Sequence, residues 1–163
     1  MEKDLEHDIE LYSADSFKTL LEHEVKRSRR YRSPLMIIYL AVETDPPQAQ
    51  HSAEVFVINT LNLQLRETDI PCKRGNEFII LMPATDEKGG LVVCERLQSL
   101  LNIQQQTLDR VSFTMAIFIG TASLPRDTIL SGAKFLEQAF TAMQIARTQR
   151  ISKPMLYSDI ENQ

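Results

Sequence analysis

The chain has 163 residues, 43% hydrophobic and 25% charged, with only 5 glycines, which fits one ordinary globular domain and excludes disordered and fibrous classes. A formal charge of -4 gives no global attraction to nucleic acid or an anionic membrane, so neither is an expected partner and any anionic ligand needs a local basic cluster. No apolar run reaches the roughly eighteen residues of a membrane span, which excludes direct insertion.

Residues 1–12 are acidic and polar and read as a flexible lead-in to a domain over 13–160. Their charge leaves no room for the apolar core of a signal peptide, so a cytoplasmic chain is expected. Ser13 or Asp15 can cap a helix whose apolar positions Phe17, Leu20, Leu21 and Val25 recur at helical spacing. It ends in the basic run "KRSRRYR" (26–32), where positive charge complements the helix dipole or offers a partner surface. After Pro34, "LMIIYLAV" is apolar throughout, as in a central strand buried on both faces. "TDPPQAQ" breaks it, and from Ser52 a second helix places Val55, Ile58, Leu61 and Leu65 on one face and delivers Arg66 and Asp69 near its end. Pro71 stops helix geometry there.

"EFIILMP" reads as a strand paired across a turn with Ile70 to Lys73. "TDEKGG" leads into a helix with Leu91, Val92, Leu97, Leu100 and Leu101, so Gly89 and Gly90 read as a helix start rather than a phosphate loop. "RVSFTMAIFIG" is a long strand, the helix to Arg150 carries a core-like stripe of Phe135, Leu136, Phe140 and Met143, and "PMLYS" is a last short strand. Strands alternating with helices predict an α/β (α+β) single domain, a mixed central β-sheet flanked by helices on both faces. Cys72 and Cys94 read as reduced, buried and apolar in role. His7, His23 and His51 are scattered without carboxylates or cysteines at ligand spacing, so neither a metal site nor a cofactor is expected.

In order along the chain, "HEVKRSRRYRSPLMIIYLAVE", "RETDIPCKRGNEFIILMPATDEKGGLVVCERLQSLL", "VSFTMAIF" and "LEQAFTAMQIAR" resemble the successive pieces of the GGDEF domain. The resemblance covers nearly the whole chain and implies the nucleotidyl cyclase fold. Members join two GTP molecules into cyclic di-GMP, a phosphoryl transfer that needs carboxylates to hold magnesium.

Against that family pattern the chain departs at several positions. Ala41, Val42 and Glu43 stand where the family has Asp-x-Asp, and Ala41 has no oxygen for a cation. Glu43, two residues on and on the same strand face, is the one substitute, with a longer side chain that has to reach a different point. The guanine-reading segment is shortened to "TDPPQAQHSAEVFVINTL". Gly75, Asn76, Glu77 and Phe78 stand for Gly-Gly-Asp/Glu-Glu-Phe with one residue missing, which changes turn type and register. Arg147 keeps a cation at the phosphate-binding lysine position, but "RIS" follows instead of Gly-Arg-Asn.

Arg66 and Asp69, by contrast, match the family's inhibitory Arg-x-x-Asp site for cyclic di-GMP, with Arg96 at the place of a third contact. A guanidinium can fork onto guanine or phosphate, and a carboxylate can accept from guanine N1–H. The same pair can equally be a surface ion pair. The resemblance thus implies a catalytically inactive signalling protein, with cyclic di-GMP and a protein partner or second copy of the chain as expected partners. A ligand-free interaction module is the alternative, and a residual cyclase using Glu43 and Glu77, or a GTP binder, the third.

Overall fold

The computed structural model describes residues 12–102, 105–127 and 129–161. Positions 1–11 of the expected lead-in lie outside these residues. Tyr12 is part of the fold, its N–H donating to the Pro71 carbonyl at 3.1 Å.

The architecture is set by β1 (Leu35–Asp45), whose residues from Leu35 to Val42 are all buried. An apolar run of that length is stable only where both faces and both edges are covered. β3 (Glu77–Pro83) pairs with it antiparallel on one edge and β5 (Val111–Ser123) on the other. β2 (Ile70–Arg74) lies outside β3, and β4 (Gln106–Leu108) outside β5. β6 (Met155–Leu156) adds to β5 in parallel, which makes the six-stranded sheet mixed as expected.

Strand alternation sends Ile37, Tyr39 and Ala41 to one face and Met36, Ile38, Leu40 and Val42 to the other. The first face is covered by α1 (Ala14–Tyr31) and α4 (Gly132–Thr148), the second by α2 (Gln50–Gln64) and α3 (Glu87–Leu101). A short α5 (Tyr157–Glu161) closes the described chain. Three helices start on side-chain caps: Ser13 Oγ accepts from Ser16 N at 3.2 Å, Asp86 Oδ1 from Gly89 N at 2.8 Å and Ser131 Oγ from Lys134 N at 3.2 Å. Cys72 and Cys94 are buried and free, as expected.

Several details differ from the sequence reading. α2 starts at Gln50, and its buried face is Ala53, Val57 and Leu61; Val55, Ile58 and Leu65 are half-buried. Apolar residues surround this helix, so spacing alone does not pick a face, and small Ala53 permits the closest approach. On α3, Val92 and Leu100 are exposed while Cys94 and Gln98 are buried in their place. Gln98 enters the core because its Nε2 donates to the Ile117 carbonyl at 2.7 Å. Tyr157 and Ser158, expected in the last strand, start α5. Gly89 and Gly90 lie inside the first turn of α3.

Gly120 of β5 sets how closely α4 packs. A Cβ there would lie 2.0 Å from Met143 N and 2.5 Å from Ala139 O, both backbone atoms that cannot give way singly. Gly120→Ala is therefore expected to lower the unfolding free energy by about 2–3 kcal/mol, the upper end of overpacking costs. Urea denaturation followed by far-UV circular dichroism checks this, and an unchanged midpoint would contradict the close approach.

Candidate functional site

Two groups of polar residues stand out, one at the β2–β3 turn and one beside Arg66. The turn holds Gly75 and Asn76 between the paired residues Arg74 and Glu77. Gly75 has φ 64° at the first central position, which a two-residue type II′ hairpin reserves for glycine. Asn76 Nδ2 donates to the Val42 carbonyl at 3.3 Å, fastening the turn to the end of β1. Phe78 is buried in the α2–α3 core.

The register places Ala41 directly across from Glu77, on the face covered by α4. Both oxygens of Glu77 are engaged: Tyr39 Oη donates to Oε1 at 2.7 Å, and Arg147 Nη1 lies 3.5 Å from Oε2. Arg147 also donates through Nη2 to Gln144 Oε1. Two residues beyond Ala41, Glu43 Oε1 accepts from Arg150 Nη1 at 2.7 Å. The Arg150 guanidinium sits 4.6 Å from the centroid of the Phe118 ring, a cation–π contact that holds it over the sheet. Arg147, expected as a phosphate contact, is thus placed against a carboxylate.

These residues do not fit a magnesium ion. Ala41 offers no oxygen, and both neighbouring carboxylates face arginines, which a dication has to displace against like-charge repulsion. Among the described residues no three His, Cys, Asp or Glu side chains cluster as a metal site. Beside Glu77 lies a hollow of about 480 Å³ lined by Tyr39, Arg74, Leu136, Glu137 and Phe140. Arg74 is its one cation against the carboxylates of Glu77 and Glu137, a balance that disfavours a triphosphate.

The second group is built in the loop between α2 and β2. Asp69 has a side chain only 1% exposed, and among the described residues Arg66 supplies every hydrogen bond to its carboxylate. Arg66 N donates to Oδ2 at 2.8 Å and Nη2 to Oδ1 at 3.0 Å, while Nε reaches Oδ2 at 3.5 Å. Arg66 Nη2 also bonds Thr85 Oγ1 and the Pro83 carbonyl, the latter at 3.3 Å. The guanidinium is still half-exposed, with 52% of the side chain open to solvent. The structure therefore brings Arg66 and Asp69 together, with Arg66 presented and Asp69 covered. Arg96 lies exposed on α3 and makes no hydrogen bond or ion pair with any described residue, these two included.

Sequence reasoning missed Tyr39, Thr85 and Arg150. Each acts on a residue distant in the chain, 107 positions away for Arg150 and Glu43. No local pattern signals such a pairing.

The helix-covered sheet and its β2–β3 hairpin define an α+β domain of nucleotidyl cyclase type. The family model for the diguanylate cyclase GGDEF domain matches residues 55–153, and the chain belongs to that family. No curated protein matches the sequence. Among solved structures, the GGDEF domain of DgcB from Caulobacter crescentus in complex with c-di-GMP superposes with a TM-score of 0.77 at 12% identity, over 90% of this chain and 89% of that one. The active GGEEF domain of a diguanylate cyclase from Vibrio cholerae gives 0.77 at 14% identity, over 91% and 98%. Diguanylate cyclase SiaD in complex with its activator SiaC, from Pseudomonas aeruginosa, gives 0.76 at 18%, over 90% of this chain and 58% of that one. At these identities the likeness is one of fold.

Three buried acids titrate high. Burial, then the Glu77 carboxylate beside it, pushes the Tyr39 phenol well above its usual 10.0. Burial pushes the Cys94 thiol from 9.0 up to about 12 and, opposed by Arg74, raises Cys72. All three hold in the fold a proton that the unfolded chain releases more readily. Their contribution is complete below the ordinary values and is lost as pH rises from about 9 through the higher folded values. Unfolding free energy is thus expected to fall above pH 9. Tyr39→Phe should cost about 1–2 kcal/mol at neutral pH, through the lost bond to Glu77, and make the alkaline decline shallower. Urea titrations at pH 7, 9 and 10.5 check both; an equally steep decline in the variant would contradict the Tyr39 assignment.

Proposed function

We propose that this chain is a non-catalytic signalling protein of the GGDEF family that senses cyclic di-GMP through Arg66, Asp69 and Arg96. The observation that carries the first half is the pairing of Glu77 with Arg147 and of Glu43 with Arg150, around an alanine at the metal-ligand position. Phosphoryl transfer of this kind relies on metal-held phosphates, and here protein cations occupy the carboxylates that would hold the metal. The degenerate turn is retained for the hairpin it makes, and the folded unit is the expected stretch 13–160 extended by Tyr12 and Glu161, working in the cytoplasm.

The receptor half draws support from the half-exposed Arg66 fork, held in place by a buried carboxylate and by Thr85. A guanidinium fork matches guanine O6 and N7 or a pair of phosphate oxygens. DgcB, whose fold this chain shares, has its GGDEF domain in complex with c-di-GMP. In the bound state Arg66 swings outward, and Asp69, freed from it, accepts from guanine N1–H and the exocyclic amine. Arg96, free of other partners among the described residues, closes on the ligand from α3.

The burial of Asp69 favours a second reading, a protein-interaction module whose nucleotide sites are vestigial. SiaD, a protein of the same fold, is found with a protein activator, SiaC. In either reading the signal passes by association with a protein partner or a second copy.

Two measurements separate the readings. Calorimetric titration with cyclic di-GMP is expected to give micromolar binding that Arg66→Ala abolishes; no heat and no thermal shift at high ligand would leave the interaction module. Incubation with GTP and magnesium, followed by nucleotide chromatography, is expected to yield no cyclic di-GMP. Product formation that Glu77→Gln removes would overturn the non-catalytic reading.

A further inference from the structure

At the opposite end of β1 from the hairpin turn, a cavity of about 480 Å³ opens between the end of α1, the first turn of α3 and the loop after β5. That is the size of a nucleotide-scale ligand site. Its basic wall is Arg29, Arg32 and Arg126. Arg29 is already anchored, its Nη2 donating to the Leu130 carbonyl at 2.9 Å. The side chains of Arg32 and Arg126 make no hydrogen bond or ion pair with any described residue. Their guanidinium donors are therefore free to take the oxygens of an anion.

Asp86, Glu87 and Asp127 line the same cavity and balance the three arginines in formal charge, so an occupant is held by directed guanidinium donors and not by net charge. Asp86 Oδ1 is engaged as the α3 cap, and Glu87 Oε2 accepts from Ser158 Oγ at 3.3 Å. Asp127 stands exposed at the rim. Ser123, which also lines the cavity, has a buried hydroxyl without a hydrogen-bond partner among the described residues.

The backbone adds an independent observation. Arg32 ends α1 in the left-handed conformation with φ 52°, a position that glycine ordinarily fills. Asp127, next to Arg126, has φ 57°. A strained backbone kept with arginine rather than glycine points to a use for the side chain.

We propose that this cavity is a second ligand site, separate from Arg66 and Asp69, that takes the phosphate group of a small phosphate monoester. Arg32 and Arg126 fork onto the phosphate oxygens, as guanidinium geometry suits. Arg29 adds charge from behind. Thr85 lines the cavity and accepts from Arg66, so the occupant lies one residue away from the Arg66 network.

The test is a calorimetric titration of the full chain with AMP and with inorganic phosphate, paired with amide chemical-shift mapping. Binding of AMP with shifts at Arg32, Thr85 and Ser123 to Arg126 is expected, with inorganic phosphate competing for the same site. Arg32→Gly combined with Arg126→Gln should weaken AMP at least tenfold. Glycine suits the left-handed position, so this variant keeps or raises the melting temperature and the loss cannot be laid to unfolding. Arg66→Ala should leave AMP affinity within twofold, which keeps the outcome independent of cyclic di-GMP binding. Absence of AMP binding, undiminished binding in the double variant, or equal shifts from sodium chloride at matched ionic strength would each overturn the proposal. So would a phosphoserine peptide that binds where AMP does not.

Discussion

The rest of the molecule depends on the burial of β1 on both faces. Eight consecutive residues without a polar side chain able to meet water, apart from the inward Tyr39 hydroxyl, require a strand on each edge and a helix pair on each side. Burying a residue of that size stabilises by about 1.5–3 kcal/mol, so no alternative register that exposes the strand competes. With β1 fixed, the antiparallel register to β3 puts Glu77 across from Ala41, and α4 is drawn over both by Gly120. The polar cluster at the hairpin is a consequence of that packing.

Within the cluster, arginines stand where a divalent cation is the physical alternative. A carboxylate left alone beside a buried tyrosine and an apolar helix is costly, and it is stabilised either by a metal or by protein cations. α4 supplies the second solution from its last turn and the turn beyond it, through Arg147 and Arg150. Its consequence is that the pairing is present without ligand, so the hairpin end needs no metal to be complete. The Tyr39 hydroxyl then has a settled role as donor to Glu77, and its proton is held firmly first by burial and second by that carboxylate.

Much of the fold was legible because its signals are local and strong. The apolar run at Leu35, the cap at Ser13 and the Gly75–Asn76 turn each determine their own neighbourhood. Legibility failed where local signals are ambiguous: α2 carries apolar and polar residues on every side, and β4 is three residues long and exists only because β5 offers an edge. For the site, residue identities such as Ala41 and Arg66 were readable, since they are matters of chemistry. Their pairings were not: Tyr39 meets Glu77 only because two strands align, and Thr85 meets Arg66 only because the β3–α3 loop folds back.

In the proposed receptor reading, the Arg66–Asp69 pair also sets the selectivity. Asp69 is a buried carboxylate whose hydrogen bonds, among the described residues, all come from Arg66, so a ligand that draws the guanidinium away removes its ion partner and leaves it only the Arg66 backbone N–H. Breaking such a pair costs about 3–5 kcal/mol when nothing replaces the lost partner. At roughly 1.4 kcal/mol per decade, that lowers affinity by about a hundredfold to a few thousandfold. A bare phosphate brings acceptors to Arg66 and no donor to Asp69, so it bears the full cost. A guanine brings acceptors at O6 and N7 together with donors at N1 and the exocyclic amine, and it can satisfy both partners at once. In the proposed receptor reading the local geometry therefore discriminates by donor pattern rather than by charge.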